Sequence, residues 1–190
     1  MGGRRLCRCG AARDPQGIVV AIVISLVALA YQAANPAVRV LGRKPGTNVF
    51  RPRSPEHPED ETFPGLLLLC LEGHIFFANA RSVGEKIRPL IEEDHPKVVA
   101  LDLAGVPHLE YTALKMLSEA EERERANGVE LWLVSLNPEV LEMVQRSPLG
   151  RVLGRERMHF DLETAVAGYL GRGAAEGKVK ASKVLESENS

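Results

Sequence analysis

At 190 residues the chain has room for one domain of ordinary size plus appendages. Its formal charge of −1 hides an asymmetry: residues 1–53 hold nine Lys and Arg against the single acid Asp14, while residues 59–170 hold eleven against twenty Asp and Glu. An acidic domain excludes nucleic acid as a partner, because that affinity rests on cationic contacts to phosphate. Three cysteines, Cys7, Cys9 and Cys70, are too few and too badly spaced for a disulfide framework or a metal site.

The chain opens on a basic segment, residues 1–16. Residues 17–38 carry no charge, and Gly17 to Ala34 is almost wholly apolar. About 20 such residues, at 1.5 Å each, cross a hydrocarbon core, so this stretch is predicted as one transmembrane helix. Asp14-Pro15 supplies its start, Asn35-Pro36 its stop, and Tyr31 an interfacial aromatic. A buried core helix and a cleaved signal peptide compete with this reading; for the latter, Arg4, Arg5, Arg8 and Arg13 make a basic leader, and Ala28-Leu29-Ala30 resembles a cleavage site. The apolar run is too long for an ordinary signal. Both flanks are basic, so charge does not set the orientation.

Residues 39–64 read as a polar juxtamembrane linker, with Gly42, Pro45, Gly46, Pro52, Pro55 and Pro58 interrupting any regular element. Within it the charge flips from RVLGRK to EHPEDE. Strands and helices then alternate over residues 65–170. Leu66 to Leu71 and Ile75 to Phe77 read as short strands around the turn Glu72-Gly73. Ala80, Val83, Ile87, Leu90 and Ile91 recur at helical spacing. Val98 to Leu103 is the central strand, and a helix follows from Tyr111 or Thr112 to the stop Asn127-Gly128. Val129 to Ser135 is another strand, and Asn137-Pro138 caps the next helix. A short strand near Met158 and a helix capped by Asp161 close an α/β layer structure. The tail, 171–190, has little to bury and is expected to be disordered.

The loop between the central strand and its helix is the most informative stretch. Its strong charges are Asp102 and Glu110, Gly105 provides a turn, and Tyr111 and Thr112 place hydroxyls at a helix start. Thr112 is read either as the helix cap with Tyr111 packed over it, or as a phosphate acceptor favoured by free N–H groups and the helix dipole. Cys70, Glu72 and His74 alternate, but the bend at Gly73 argues against a metal site, and EAEERERANG reads as a solvated helix face with pairing such as Glu121–Arg125. There is no G-x-S-x-G, P-loop or Ser/His/Asp signature, and so no sign of an enzyme or a cofactor.

LLLLCLEGHIFFANA, VVALDLAGVPHLEYTAL, NGVELWLV and NPEVLEMVQRSPL together resemble a STAS domain. That fold is shared by bacterial anti-sigma-factor antagonists and the cytosolic tails of SulP-family anion transporters. The upstream run, with its VRVLGRKPGT and FRPRSPEHP segments, resembles the last membrane helix and linker of a SulP permease. The resemblance implies a STAS-type central β-sheet with flanking helices, preceded by one transmembrane helix. It implies a membrane location with the domain on the cytoplasmic side, and a regulatory or assembly role in a carrier of sulfate or another small anion such as bicarbonate. One span cannot enclose a substrate pathway, so transport by this segment alone is not expected. The implied partners are the lipid bilayer and the remaining transporter helices or another regulatory protein; a nucleotide is a weak candidate. The contact surface implied is the loop of Asp102, Gly105, Glu110, Tyr111 and Thr112. The alternative is a membrane-tethered signalling module like an antagonist. In the antagonists an Asp-Ser-Ser/Thr-Gly run opens this helix, but here the run is Glu110-Tyr111-Thr112-Ala113. Tyr111 replaces the phosphorylated serine, which weakens that alternative.

Overall fold

The computed structural model describes residues 15–187 except 74 and 76; of 15, 16, 32–34, 77, 78 and 175–187 it describes the backbone alone. The basic leader before Pro15 and the side chain of His74 therefore lie outside the described residues. Helix α1 (Pro15–Ala34) leads through Asn35 and Pro36 into strand β1 (Ala37–Arg43). There follow β2 (Phe50–Pro52), β3 (Leu66–Glu72), α2 (Phe77–Asp94), β4 (Val98–Gly105), α3 (Tyr111–Ala126) and β5 (Glu130–Val134). The chain then forms α4 (Pro138–Arg146), α5 (Pro148–Leu153), a 3-10 turn, β6 (Met158–His159) and α6 (Leu162–Ser187).

The strands form one mixed sheet in the order β2-β1-β3-β4-β5-β6. The pairs β1–β2 and β1–β3 are antiparallel, and β3, β4, β5 and β6 run parallel to one another. The apolar run of β3 follows from this placement, since a central strand of such a sheet is covered on both faces. Leu67, Leu69, Leu71, Leu101 and Leu103 point into a core with Ala113 and Leu114 of α3 and Val140 and Val144 of α4. The alternate residues Leu66, Leu68, Val98, Ala100, Trp132 and Val134 form the opposite core with Leu162, Ala165 and Val166 of α6.

Two predicted caps form. Asn137 Oδ1 accepts from the Val140 N–H at 2.9 Å, and Asp161 Oδ1 accepts from the Thr164 N–H at 2.7 Å. Several regions differ from expectation. Residues 39–64 contribute strands rather than a plain linker: β1 pairs Val40 with Leu69 of β3, and Leu41 is buried. The breakers Pro45 and Gly46 fall in the turn between β1 and β2, where they leave the ladder intact. The charge flip is an internal match, with Arg43 Nε donating to Glu61 Oε2 at 2.7 Å and Arg51 Nη2 to Asp60 Oδ1 at 2.8 Å. That bond from Arg51 holds the Asp60 carboxyl below its ordinary range. The strand expected from Ile75 to Phe77 does not form at its described ends: Ile75 makes one isolated bridge to Leu109 and Phe77 already opens α2, while Phe76 lies outside the described residues. The tail continues α6 to Ser187 instead of losing structure. Its Ala, Lys and Glu favour helix once the packed turns at Leu162 to Val166 have overcome nucleation.

Helix α1 ends at Ala34, so Ala37 and Val38, expected in the apolar segment, belong to β1. Asn35 Nδ2 donates to the Tyr31 carbonyl at 3.1 Å, closing the helix. Its side chains are described over residues 17–31, all of them exposed. That is about 22 Å of helix, and among the described residues no helix is long and apolar enough to cross a membrane.

Candidate functional site

The loop from Asp102 to Thr112 is built at the carboxyl end of β4. Asp102 faces the α6 side of the sheet with Val98 and Ala100, whereas α3 packs on the side of Leu101 and Leu103. Alternation along the strand therefore sends Asp102 away from the face that carries Tyr111 and Thr112. Asp102 is 8% exposed, and its Oδ1 accepts from the Ala104 N–H at 3.1 Å. Its partner across β3 is Cys70. Burial, with the charges of Asp102 and Glu72 added, pushes the Cys70 thiol up to about 11. Asp102 thus shapes the strand end and suppresses a neighbouring thiolate.

Gly105 is demanded by packing. The register of β3 and β4 shifts between Cys70 and Glu72, and Glu72 comes opposite Gly105. A Cβ on Gly105 would stand 2.8 Å from the Leu71 carbonyl oxygen, closer than real side chains approach backbone. The Gly73 N–H donates to the Gly105 carbonyl at 3.0 Å, tying the two strand ends together.

Val106 and Leu109 are the loop's buried anchors. Asn137 clamps them from the start of α4: its Nδ2 donates to the Val106 carbonyl at 3.1 Å and to the Pro107 carbonyl at 2.9 Å. This residue, foreseen only as a helix cap, therefore holds α4 and the loop in one arrangement. His108 Nδ1 lies 3.2 Å from Glu139 Oε1, a second link across the same gap. Neither link has a sequence signal, since each joins positions about thirty residues apart.

The far end of the loop is open. Glu110 is the N-cap residue of α3 in extended conformation, without a side-chain cap bond. Tyr111 is 73% exposed and Thr112 is exposed in the first turn. Thr112 is therefore not the cap, and Tyr111 does not pack over it. The expected site divides into a structural part, Asp102 and Gly105, and an accessible ledge of His108, Glu110, Tyr111 and Thr112 beside Glu139. Glu121, read as part of a solvated face, is buried at 2% exposure. It meets Arg157 at 3.4 Å and Arg125 at 3.5 Å.

The STAS domain family pattern matches residues 57–165. Sulfate transporter 4.1, chloroplastic, of Arabidopsis thaliana is 27% identical over 161 residues, covering 79% of this chain and 23% of the transporter. The chain thus spans about a quarter of the length of that curated relative. Among solved structures, the murine Solute Carrier 26 family member A9 anion transporter in the inward-facing state shares the fold with a TM-score of 0.69 at 18% identity, over 80% of this chain and 25% of that one. A sulfate transporter family protein from Wolinella succinogenes superposes with a TM-score of 0.51 at 26% identity, over 62% of this chain and 97% of that one. With the family pattern covering more than half of its length, on a mixed sheet with helices on both faces, the chain belongs to the STAS-domain family.

Proposed function

We propose that this chain is the C-terminal part of a SulP-type carrier of sulfate or another small anion. In this reading α1 belongs to its last membrane span and the STAS domain lies on the cytosolic side in a regulatory or assembly role. The observation that carries the reading is the extent of the similarity to a sulfate transporter. It covers 79% of the chain, while the STAS span of residues 57–165 is little more than half. Helix α1 supports it physically. From Ile18 to Tyr31 its large apolar side chains are exposed on every side, and a helix apolar all round is stable where water is absent. Only Asn35 and Pro36 separate α1 from β1, and Lys86 Nζ of α2 donates to the Pro36 carbonyl at 2.8 Å. The STAS unit then begins at β1, directly against the membrane.

The ledge of His108, Glu110, Tyr111 and Thr112 is the contact surface in this proposal. Its partner is another segment of the carrier or a regulatory protein. Thr112 is a residue on it suited to phosphorylation, exposed in the first turn of α3 where the helix dipole favours a phosphate. The test is photo-crosslinking from a benzophenone amino acid at position 111 in native membranes. The expected product is an adduct with a carrier segment or a discrete second protein. Adducts with lipid alone would overturn the contact role.

A further inference from the structure

Between α2, α3 and the sheet lies a cavity of about 280 Å³. Its floor follows the strands, from Leu71 and Leu103 at one end to Val99, Leu131 and Val129 at the other. From Val99 to Leu103 this is about 13 Å at the usual strand rise. Val129 and Leu131 at one end are 9% exposed and Ile75 at the other is 7% exposed. The floor is apolar, while Arg81, Glu85, Arg88, Glu119, Arg123 and Glu124 also line the space from the helices.

Small residues on the two helices keep the space open. Gly84 lines it from the middle of α2, where glycine weakens a helix. A Cβ there would meet nothing within 4 Å, so crowding does not demand glycine. Ala80 of α2 and Ala113 and Ala120 of α3 face the same cavity. Beside Val129, Arg88, Glu92, His95, Arg123 and Glu124 surround an adjoining recess. Arg123 is held by Glu124 at 3.2 Å, whereas Arg88 makes no ion pair among the described residues.

We propose that this cavity binds one medium-length alkyl chain ending in a carboxylate. The tail lies along β3, β4 and β5 toward Leu71 and Leu103, and the carboxylate meets Arg88 at the mouth. An apolar floor about 13 Å long suits a flexible chain, and the Arg88 guanidinium supplies its head group with a charge-assisted donor.

The probe is laurate carrying a diazirine at its methyl end, added to the full chain in lipid nanodiscs, irradiated, and mapped by mass spectrometry. Adducts are expected at the end away from Arg88, on Leu71, Leu103 or Leu109. Gly84→Leu fills the space and cuts their yield at least tenfold. Arg88→Gln alters an exposed side chain and weakens apparent affinity about tenfold, the loss of one charge-assisted bond. The near-UV dichroism of Trp132, on the opposite face, verifies that each variant is folded. Adducts confined to α1 or scattered over the surface, or an undiminished yield in Gly84→Leu, overturn the cavity assignment. Unchanged affinity in Arg88→Gln, or equal competition by dodecanol and laurate, overturns the carboxylate head.

Discussion

Leu131 and Trp132 are neighbours on β5, yet they look into differently filled spaces. Under α6, Trp132 is 0% exposed; its ring stacks on His159 at 4.6 Å between centroids, and Tyr169 stands edge-on at 6.4 Å. The Arg172 guanidinium covers it at 4.9 Å, and its Nε1–H donates to Glu130 Oε2 at 3.2 Å. Across the sheet, Leu131 borders the cavity under α2 and α3. One strand thus separates a sealed aromatic core from a chamber between α2, α3 and the sheet.

The sharpest way to break this contrast is truncation on both sides of β5. Trp132→Ala is expected to cost about 3–5 kcal/mol, and Leu131→Ala, already beside open space, close to 2 kcal/mol, the low end for such changes. Urea unfolding followed by far-UV dichroism compares them, and equal losses would abolish the distinction. Gly105→Ala comes next. Its methyl group would press on the Leu71 carbonyl, and overpacking of this kind costs about 1–3 kcal/mol. A thermal midpoint equal to that of the parent would contradict the tight crossing of β3 and β4.

Asn137→Ala removes a helix cap and two loop bonds, an expected loss of about 1–2 kcal/mol. Amide exchange should accelerate over Val106 to Glu110 more than in β5; a uniform increase would deny Asn137 its role as a clamp. The smallest effect concerns pH. His159 Nε2 is buried with no hydrogen-bond partner among the described residues, and burial first, then Arg172, lowers its pKa from 6.5. The unfolded chain then binds the proton more readily, so His159 contributes fully above about pH 6.5 and its contribution falls as pH drops toward the folded pKa. His159→Phe keeps a ring against Trp132 and should flatten stability in that window. An unchanged slope would place the pH response elsewhere.

The parallel core was legible because it rests on local patterns. Val98 to Leu103 is apolar enough for a central strand, Asn137-Pro138 marks a helix start by itself, and the stripe from Ala80 to Ile91 has helical period. The edge of the sheet was hidden for the opposite reason. β1 and β2 carry Arg, Gly and Pro, and gain their order from pairing with β3 and from Arg43–Glu61 and Arg51–Asp60, partners that a linear reading saw only as a change of sign. Glu121 was misread similarly, since the Arg157 that helps to offset its burial lies 36 positions away. At the candidate loop, residue types singled out Asp102 to Thr112 together, but strand alternation, which puts Asp102 on the other face from Tyr111, decided which of them share a surface.

The most direct test of the membrane-carrier account is an immunoblot of native membranes, washed with alkaline carbonate, using an antibody against the STAS domain. The account predicts that the antigen stays in the membrane pellet, on a polypeptide several times longer than these 190 residues. An antigen released into the carbonate supernatant would contradict it.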